Sequence, residues 1–322
     1  MYVVSYWIIA NSHALATHLV FDFDYALCQS LTLDEAVVGK RNPEPGKMNE
    51  QFDIIIEPDK GMTQYWKDLW RYRGLFYFLA WRDILVRYKQ TVIGIAWSVV
   101  RPLLTMIVFT VIFGKLAKFP SEGVPYPILV FAAMLPWQMF SNALSESSDS
   151  LIANANMLTK VYFPRLVMPT SAVVVSLVDF LISFSILCVL MVWFKFLPGI
   201  RILTLPFFLL LALMTALGCG FWLSALNVRY RDFRYIVPFI VQFGLYISPV
   251  GFSSTIVPGK WRFIYSVNPM VGVIDGFRWA ILGGESRLYV PGFLLSIAVS
   301  LAIFWSGLLY FRKMETTFAD VV

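Results

Sequence analysis

Histidine is almost missing from this chain. His13 and His18 are the whole supply, both near the N-terminus of 322 residues. Their i, i+5 spacing does not share a helix face, and a closed metal site takes more ligands than two. A Ser/His/Asp arrangement has no histidine to draw on elsewhere. Cysteine is scarce too. Cys188 and Cys219 fall inside apolar runs and Cys28 lies near the start, so neither metal spacing nor a disulfide framework appears. A phosphate-binding loop is also lacking. Gly39 to Gly46-Lys47 and Gly251 to Gly259-Lys260 have the wrong spacing, and Met48 and Trp261 stand where Ser or Thr is required. The Ser/Asp run SESSDS at 145–150 reads as the polar end of an apolar segment.

Charge is the other shortage. Only 14% of residues are charged, against about 25% in soluble domains. In its place the chain is 58% hydrophobic and 17% aromatic. A soluble protein this apolar could not cover its surface, so the class is integral membrane. Requiring roughly 20 apolar residues per crossing gives six spans at 92–114, 127–147, 168–194, 203–226, 235–253 and 290–311. The expected fold is all-α. Its net charge of +6 reports topology rather than nucleic-acid binding. Lys and Arg are denser before the first span, in the loops 148–167 and 227–234, and after the last span. That places both termini in the cytoplasm.

Before the first span, Trp66, Leu69, Trp70, Arg73, Phe76, Ala80, Ile84 and Tyr88 recur at steps of three and four, with Arg82 and Arg87 mostly off that stripe. An amphipathic helix in the membrane interface is expected, the weaker alternative being the cap of a soluble helical domain. Residues 254–289 hold WRFIYSVNPMVGVIDGFRWAIL. Asn268-Pro269 reads as a helix start, with breaks expected at Gly272, Gly276 and Gly283. Such short apolar pieces read as re-entrant helices or as an external cap, with the first favoured.

One acid, Asp179 in SLVDFLISF, lies near the middle of the third span. An acid there is costly and calls for a partner. It is either a structural clasp, with a cation such as Arg101, or part of an aqueous path. Aromatic stripes run through Phe109 and Phe113 on the first span and Phe239, Phe243 and Tyr246 on the fifth. Packing or a lipid-facing surface is the commoner use of such stripes. Ring faces also suit sugars, which makes these residues candidates for a glycan path.

Several segments together carry a family likeness. WRDILVRYKQ at 81–90, NMLTKVYFPRLVMP at 156–169, NVRYRD at 227–232, SVNPM at 266–270 and the closing YFRKMETTFADV resemble the permease subunit of type-2 ABC exporters for polysaccharides such as O-antigen, capsule or teichoic acid. The likeness covers about residues 50–322. It implies a homodimer of six-span permeases on two separate ATPase subunits, moving lipid-linked polysaccharide through the bacterial inner membrane. It also implies no catalytic residue, metal or cofactor on this chain, with ATP and Mg2+ held by the ATPase. Lys160, Tyr162, Phe163 and Arg165 would couple to that ATPase. Arg82, Arg87, Arg229, Arg231 and Asp232 would lie at the cytoplasmic interface. The first and fifth spans would line the conduit.

The chain then divides into an N-terminal extension at 1–47, a cytoplasmic segment with the interface helix at 48–91, the spans at 92–311 and a tail at 312–322. KRNPEPGK at 40–47 is a breaker-rich linker, and residues 1–47 depart from the family pattern. Met48 is therefore an expected start of translation, the alternative being a flexible tail. Other function classes are an exporter of lipid or drug and an integral-membrane transferase. The latter lacks the acid/base pair or acidic cluster it would need.

Overall fold

The apolar runs fold as helices because a chain in lipid must satisfy its backbone polar groups within itself. The computed structural model describes residues 62–89, 94–120, 123–158, 160, 163–230, 232–283, 288–315 and 318. All belong to the unit Pro58–Val322. The expectations about Met48 and the 40–47 linker lie outside these residues. Among the described residues there is no strand.

The elements are α1 (Met62–Arg71), α2 (Arg73–Lys89), α3 (Gly94–Phe109), α4 (Tyr126–Ala153), α5 (Val167–Trp193), α6 (Leu205–Arg229), α7 (Phe233–Ile247), α8 (Gly259–Tyr265), α9 (Pro269–Leu282) and α10 (Val290–Glu315). α3 continues into a π-helical stretch, Thr110–Leu116, and a 3-10 turn, Ile200–Thr204, leads into α6. One further turn of helix, Ala155–Leu158, follows α4. Proline sets several starts. It stands at the first or second position of α4, α6 and α9, where its missing N–H costs nothing. At α9 the expected start is observed: the Met270 N–H donates to the Asn268 side chain at 3.1 Å.

Five helical segments among the described residues are long and apolar enough to cross a membrane: Ala96–Leu116, Tyr126–Ala153, Val167–Trp193, Ile200–Arg229 and Val290–Glu315. α4 is the central one. Of its most apolar stretch 78% is buried, against 17% for the first. The main core gathers α4, α5, α6 and α9 around Phe131, Phe180, Phe208 and Phe277. A second apolar cluster, with Leu79, Leu158, Phe163, Phe221, Phe311 and Phe318, joins α2, the 155–166 connection, α6, α10 and the tail. α6 and α10 cross closely, because a Cβ on Gly218 would meet the Phe304 backbone at 2.6 Å. Small residues are the usual means of such approach between apolar helices.

Three expectations need correction. The amphipathic stretch 66–89 is two helices, broken at Tyr72. The break adjoins Gly74, the poorest helix former in the segment. The expected span 235–253 is helical only to Ile247. Fifteen residues rise about 22 Å, short of the ~30 Å hydrocarbon core, and 248–253 continues as turns. Finally, α9 runs unbroken through Gly272 and Gly276. These glycines serve packing: a Cβ on Gly276 would overlap the Phe208 ring, and one on Gly272 would meet Ser296 at 2.5 Å. The break at Gly283 is present, since α9 ends at Leu282.

Candidate functional site

Two places concentrate polar side chains on this apolar frame. The first is a cavity of about 510 Å³ between α3, α4, α5 and α7. Arg101 and Thr105 come from α3, Gln138 and Asn142 from α4, Asp179 and Ser183 from α5, and Gln242 from α7, with Arg87 of α2 at the rim. Trp97 and Trp137 supply ring surface.

Asp179 is heavily engaged. Arg87 Nη2 lies 2.7 Å from Oδ2, Tyr88 Oη donates to Oδ1 at 2.5 Å, and Asn142 Nδ2 donates to Oδ2 at 3.5 Å. The expected clasp is therefore present, with Arg87 as its cation in place of Arg101. The exchange has a simple cause: α2 packs along α5 and brings its last turn to the acid. Burial, and then its bond to Asp179, push the Tyr88 phenol up to about 12, so it stays a donor into the alkaline range. Arg87 also pairs with Glu146 at 2.6 Å, so one guanidinium joins the acid to the more exposed α4 carboxylate. Arg82 bonds Asp83 at 2.8 Å and the Asn154 side chain at 2.9 Å, which ties α2 to the end of α4.

The aromatic stripes separate. Phe109 is buried, and its ring stands 5.4 Å from that of the half-buried Phe113. Phe239, Phe243 and Tyr246 are all more than half exposed, and the two Phe rings are 4.1 Å apart. Arg229 lies over the Tyr230 ring at 5.2 Å and Asp232 is exposed ahead of α7. Arg231 and Tyr162 are outside the described residues.

The second place is the connection between α4 and α5. Lys160 is exposed, whereas Phe163 is 3% exposed inside the second core cluster. Arg165 is half-buried and bound to the end of α10. Its backbone N–H donates to Glu315 Oε1 at 2.8 Å, and its guanidinium donates to the Glu315 backbone carbonyl. Tyr65 Oη donates to the same carboxylate oxygen at 3.3 Å. Burial first, and the Glu315 charge second, raise the Tyr65 phenol well above its ordinary range. Of the described residues in this connection expected to meet a partner, only Lys160 is fully presented.

Sequence reasoning missed Tyr88, Asn142 and Glu315 as partners, and it gave Arg278 no role. Arg278 is 2% exposed. Its guanidinium donates to the carbonyls of Phe252 at 2.6 Å, Val250 at 3.0 Å and Leu129 at 3.4 Å. Tyr126 Oη donates to the Gly251 carbonyl at 2.7 Å, and Asn268 Nδ2 to Ser248 Oγ at 3.1 Å. The turns that follow α7 thus have their carbonyls satisfied by side chains. The available signal was an Arg amid GFRWAIL, a setting too apolar for a solvated loop.

Comparison with known proteins gives a consistent picture. A family model described as ABC-2 type transporter matches residues 74–282. An O-antigen export system permease protein of Myxococcus xanthus is 29% identical over 265 residues, covering 81% of this chain and 100% of the relative. One from Klebsiella pneumoniae is 28% identical, over 75% of this chain and 92% of its own length. A polysialic acid transport protein of Escherichia coli is 22% identical, over 69% and 89%.

Proposed function

This chain belongs to the ABC-2 type transporter family, and from that premise we propose that it is the membrane permease of an ATP-driven exporter of lipid-linked polysaccharide. The observation that carries the reading is the likeness to O-antigen export permeases over their full or nearly full length. The chain has no phosphate-binding loop of its own, so ATP and Mg2+ are held by two separate ATPase subunits. The permease is a homodimer in the bacterial inner membrane, with both termini cytoplasmic.

Six crossings are formed from the five long helices together with α7, which the turns 248–253 extend. α1 and α2 lie at the cytoplasmic interface, supported by the exposure of Trp66, Trp70, Tyr77 and Trp81. α8 and α9 are re-entrant from the outer face. The exposed aromatics of α7, with the exposed face of α3, line the conduit between protomers. Lys160 and Tyr162 contact the ATPase, while Phe163 and Arg165 anchor that contact to the rest of the chain. ATP binding supplies the work, because only a ligand that binds two conformations differently can shift them.

Deletion of the gene tests the reading. Glycan held inside the cell is the expected result, together with copurification of an ATPase from the wild-type strain. Normal surface glycan in the deletion strain would reject it.

A further inference from the structure

α10 is tied near both of its ends to segments that connect other helices. At its last residue, the Glu315 carboxylate accepts from the Arg165 N–H at 2.8 Å and from Tyr65 Oη at 3.3 Å. The first of these bonds does the work of a cap. Leu166, the N-cap of α5, makes no side-chain bond of its own. The N–H groups of Val167 and Met168 turn back to the carbonyls of Pro164 and Arg165 at 3.1 and 3.2 Å. A carboxylate at this end of a helix also suits its dipole. Phe318 continues the attachment: its ring lies 5.4 Å from that of Phe311 and 5.8 Å from Arg165 Cζ. Near the other end of α10, Ser296 Oγ donates to the Ser266 carbonyl at 3.0 Å, in the joint between α8 and α9. Ser296 is fully buried and faces Gly272 of α9. Between the two latches α10 is one unbroken helix. The rise from position 296 to position 315 is about 28 Å, close to the ~30 Å hydrocarbon core. Its close approach to α6 at Gly218 braces it on the way.

We propose that α10 carries movement of the α4–α5 connection to the α8–α9 joint, with Glu315 and Ser296 as the positioning residues at its two ends. The inference rests on the export reading, in which that connection meets the ATPase and α8 and α9 lie on the outer face. It names the route by which nucleotide state reaches that face. An α-helix passes displacement along its axis, because backbone bonds at every turn fix its length. What matters is then how each end is attached. Apolar surfaces can slide over one another, whereas a hydrogen bond has a length and a direction that fix one register. Both ends of α10 carry such a bond to backbone, an N–H at Arg165 and a carbonyl at Ser266.

The test uses the full-length chain assembled in nanodiscs with the ATPase that copurifies with it. Hydrogen exchange is read with and without AMP-PNP and Mg2+. In the wild type, nucleotide should change exchange by about threefold or more in both 155–166 and 263–270. E315A should keep the change in 155–166 and lose the one in 263–270. Glycan exported per ATP hydrolysed should fall about tenfold in that variant, with hydrolysis itself within about twofold of wild type. E315Q keeps a carbonyl oxygen for the Arg165 N–H and should stay within about threefold on the same ratio. S296A should also lose the change in 263–270, with the Glu315 end intact, and it carries the test if E315A does not fold. A wild type without a response in 263–270, or a folded E315A or S296A that keeps all of it, overturns the proposal. So does an export loss in E315A that tracks ATP hydrolysis and that E315Q does not restore, the pattern of a merely structural bond. Normal surface glycan in a deletion strain would instead defeat the export reading and leave the exchange comparison standing.

Discussion

Arg87 Nη2 sits 2.7 Å from Asp179 Oδ2 and so fastens the last turn of α2 to the middle of α5. Removing Arg87 takes from Asp179 its cation, whereas removing Asp179 leaves Arg87 its pair with Glu146. Asp179→Asn should destabilise the chain by about 1–2 kcal/mol, less than a fully buried pair would lose because Arg87 is a third exposed. The double variant R87Q/D179N should be less destabilised than the sum of the singles by about 1 kcal/mol. Thermal unfolding of the four proteins in one detergent measures the difference, and strict additivity would show that the pair carries nothing.

The phenol of Tyr88 adds a pH dependence to that clasp. Its pKa is raised from 10.0 to about 12 in the folded chain. A raised value means that the contribution is complete below pH 10 and lost as pH climbs through 12. Tyr88→Phe should remove this alkaline loss while lowering stability at pH 7 by about 1 kcal/mol. An identical alkaline profile in the Phe variant would assign the loss to other groups.

Arg278 holds two backbone carbonyls that no helix satisfies, those of Val250 and Phe252, and also reaches the Leu129 carbonyl of α4. Arg278→Met keeps much of the apolar stem and removes every donor. A cost of about 3 kcal/mol or more is expected, since each orphaned buried acceptor costs about 1–3. Hydrogen exchange should locate the opening in residues 248–256. Protection there equal to wild type would mean that Arg278 is not the support.

Gly276 faces the Phe208 ring with no room for a methyl group. Gly276→Ala should cost about 1–3 kcal/mol through overpacking. Phe208→Leu in the same chain should recover part of that loss, visible as a rise in melting temperature over the single variant.

Lys160 and Arg165 should separate on charge reversal. Lys160 is exposed, so K160E should leave the melting temperature within about 2 °C of wild type. ATP hydrolysis in the assembled complex should persist while export falls about tenfold, a loss of about 1.4 kcal/mol in coupling. R165E removes the guanidinium bond to the Glu315 carbonyl and sets a second carboxylate beside Glu315, and should lower stability by about 1–3 kcal/mol. Wild-type export by K160E would reduce the loop to ordinary cytoplasmic charge.

The class and the long helices were legible because lipid imposes length, apolarity and internal hydrogen bonding together. Asn268-Pro269 was legible as a start because capping is local in sequence. The partner of Asp179 was not. Arg101 and Arg87 both stand on segments that reach α5, and only the packing of α2 decides between them. The end of the fifth span was hidden for another reason. Hydropathy reads 248–253 as a continuation of the apolar helix, but cannot see that Arg278 and Tyr126 bond the carbonyls of turns there. The buried state of Phe163 was hidden in the same way, because the cluster that covers it comes from helices distant in sequence.

At Glu315 α1, the α4–α5 connection and α10 meet on one residue, reached by Arg165 across 150 positions of sequence and by Tyr65 across 250. A truncation placed just ahead of Glu315 would therefore behave like a lesion in the loop. It would score as a transport defect in a screen that never touched residues 155–166, and a bulky reporter fused at this end would report on its own interference.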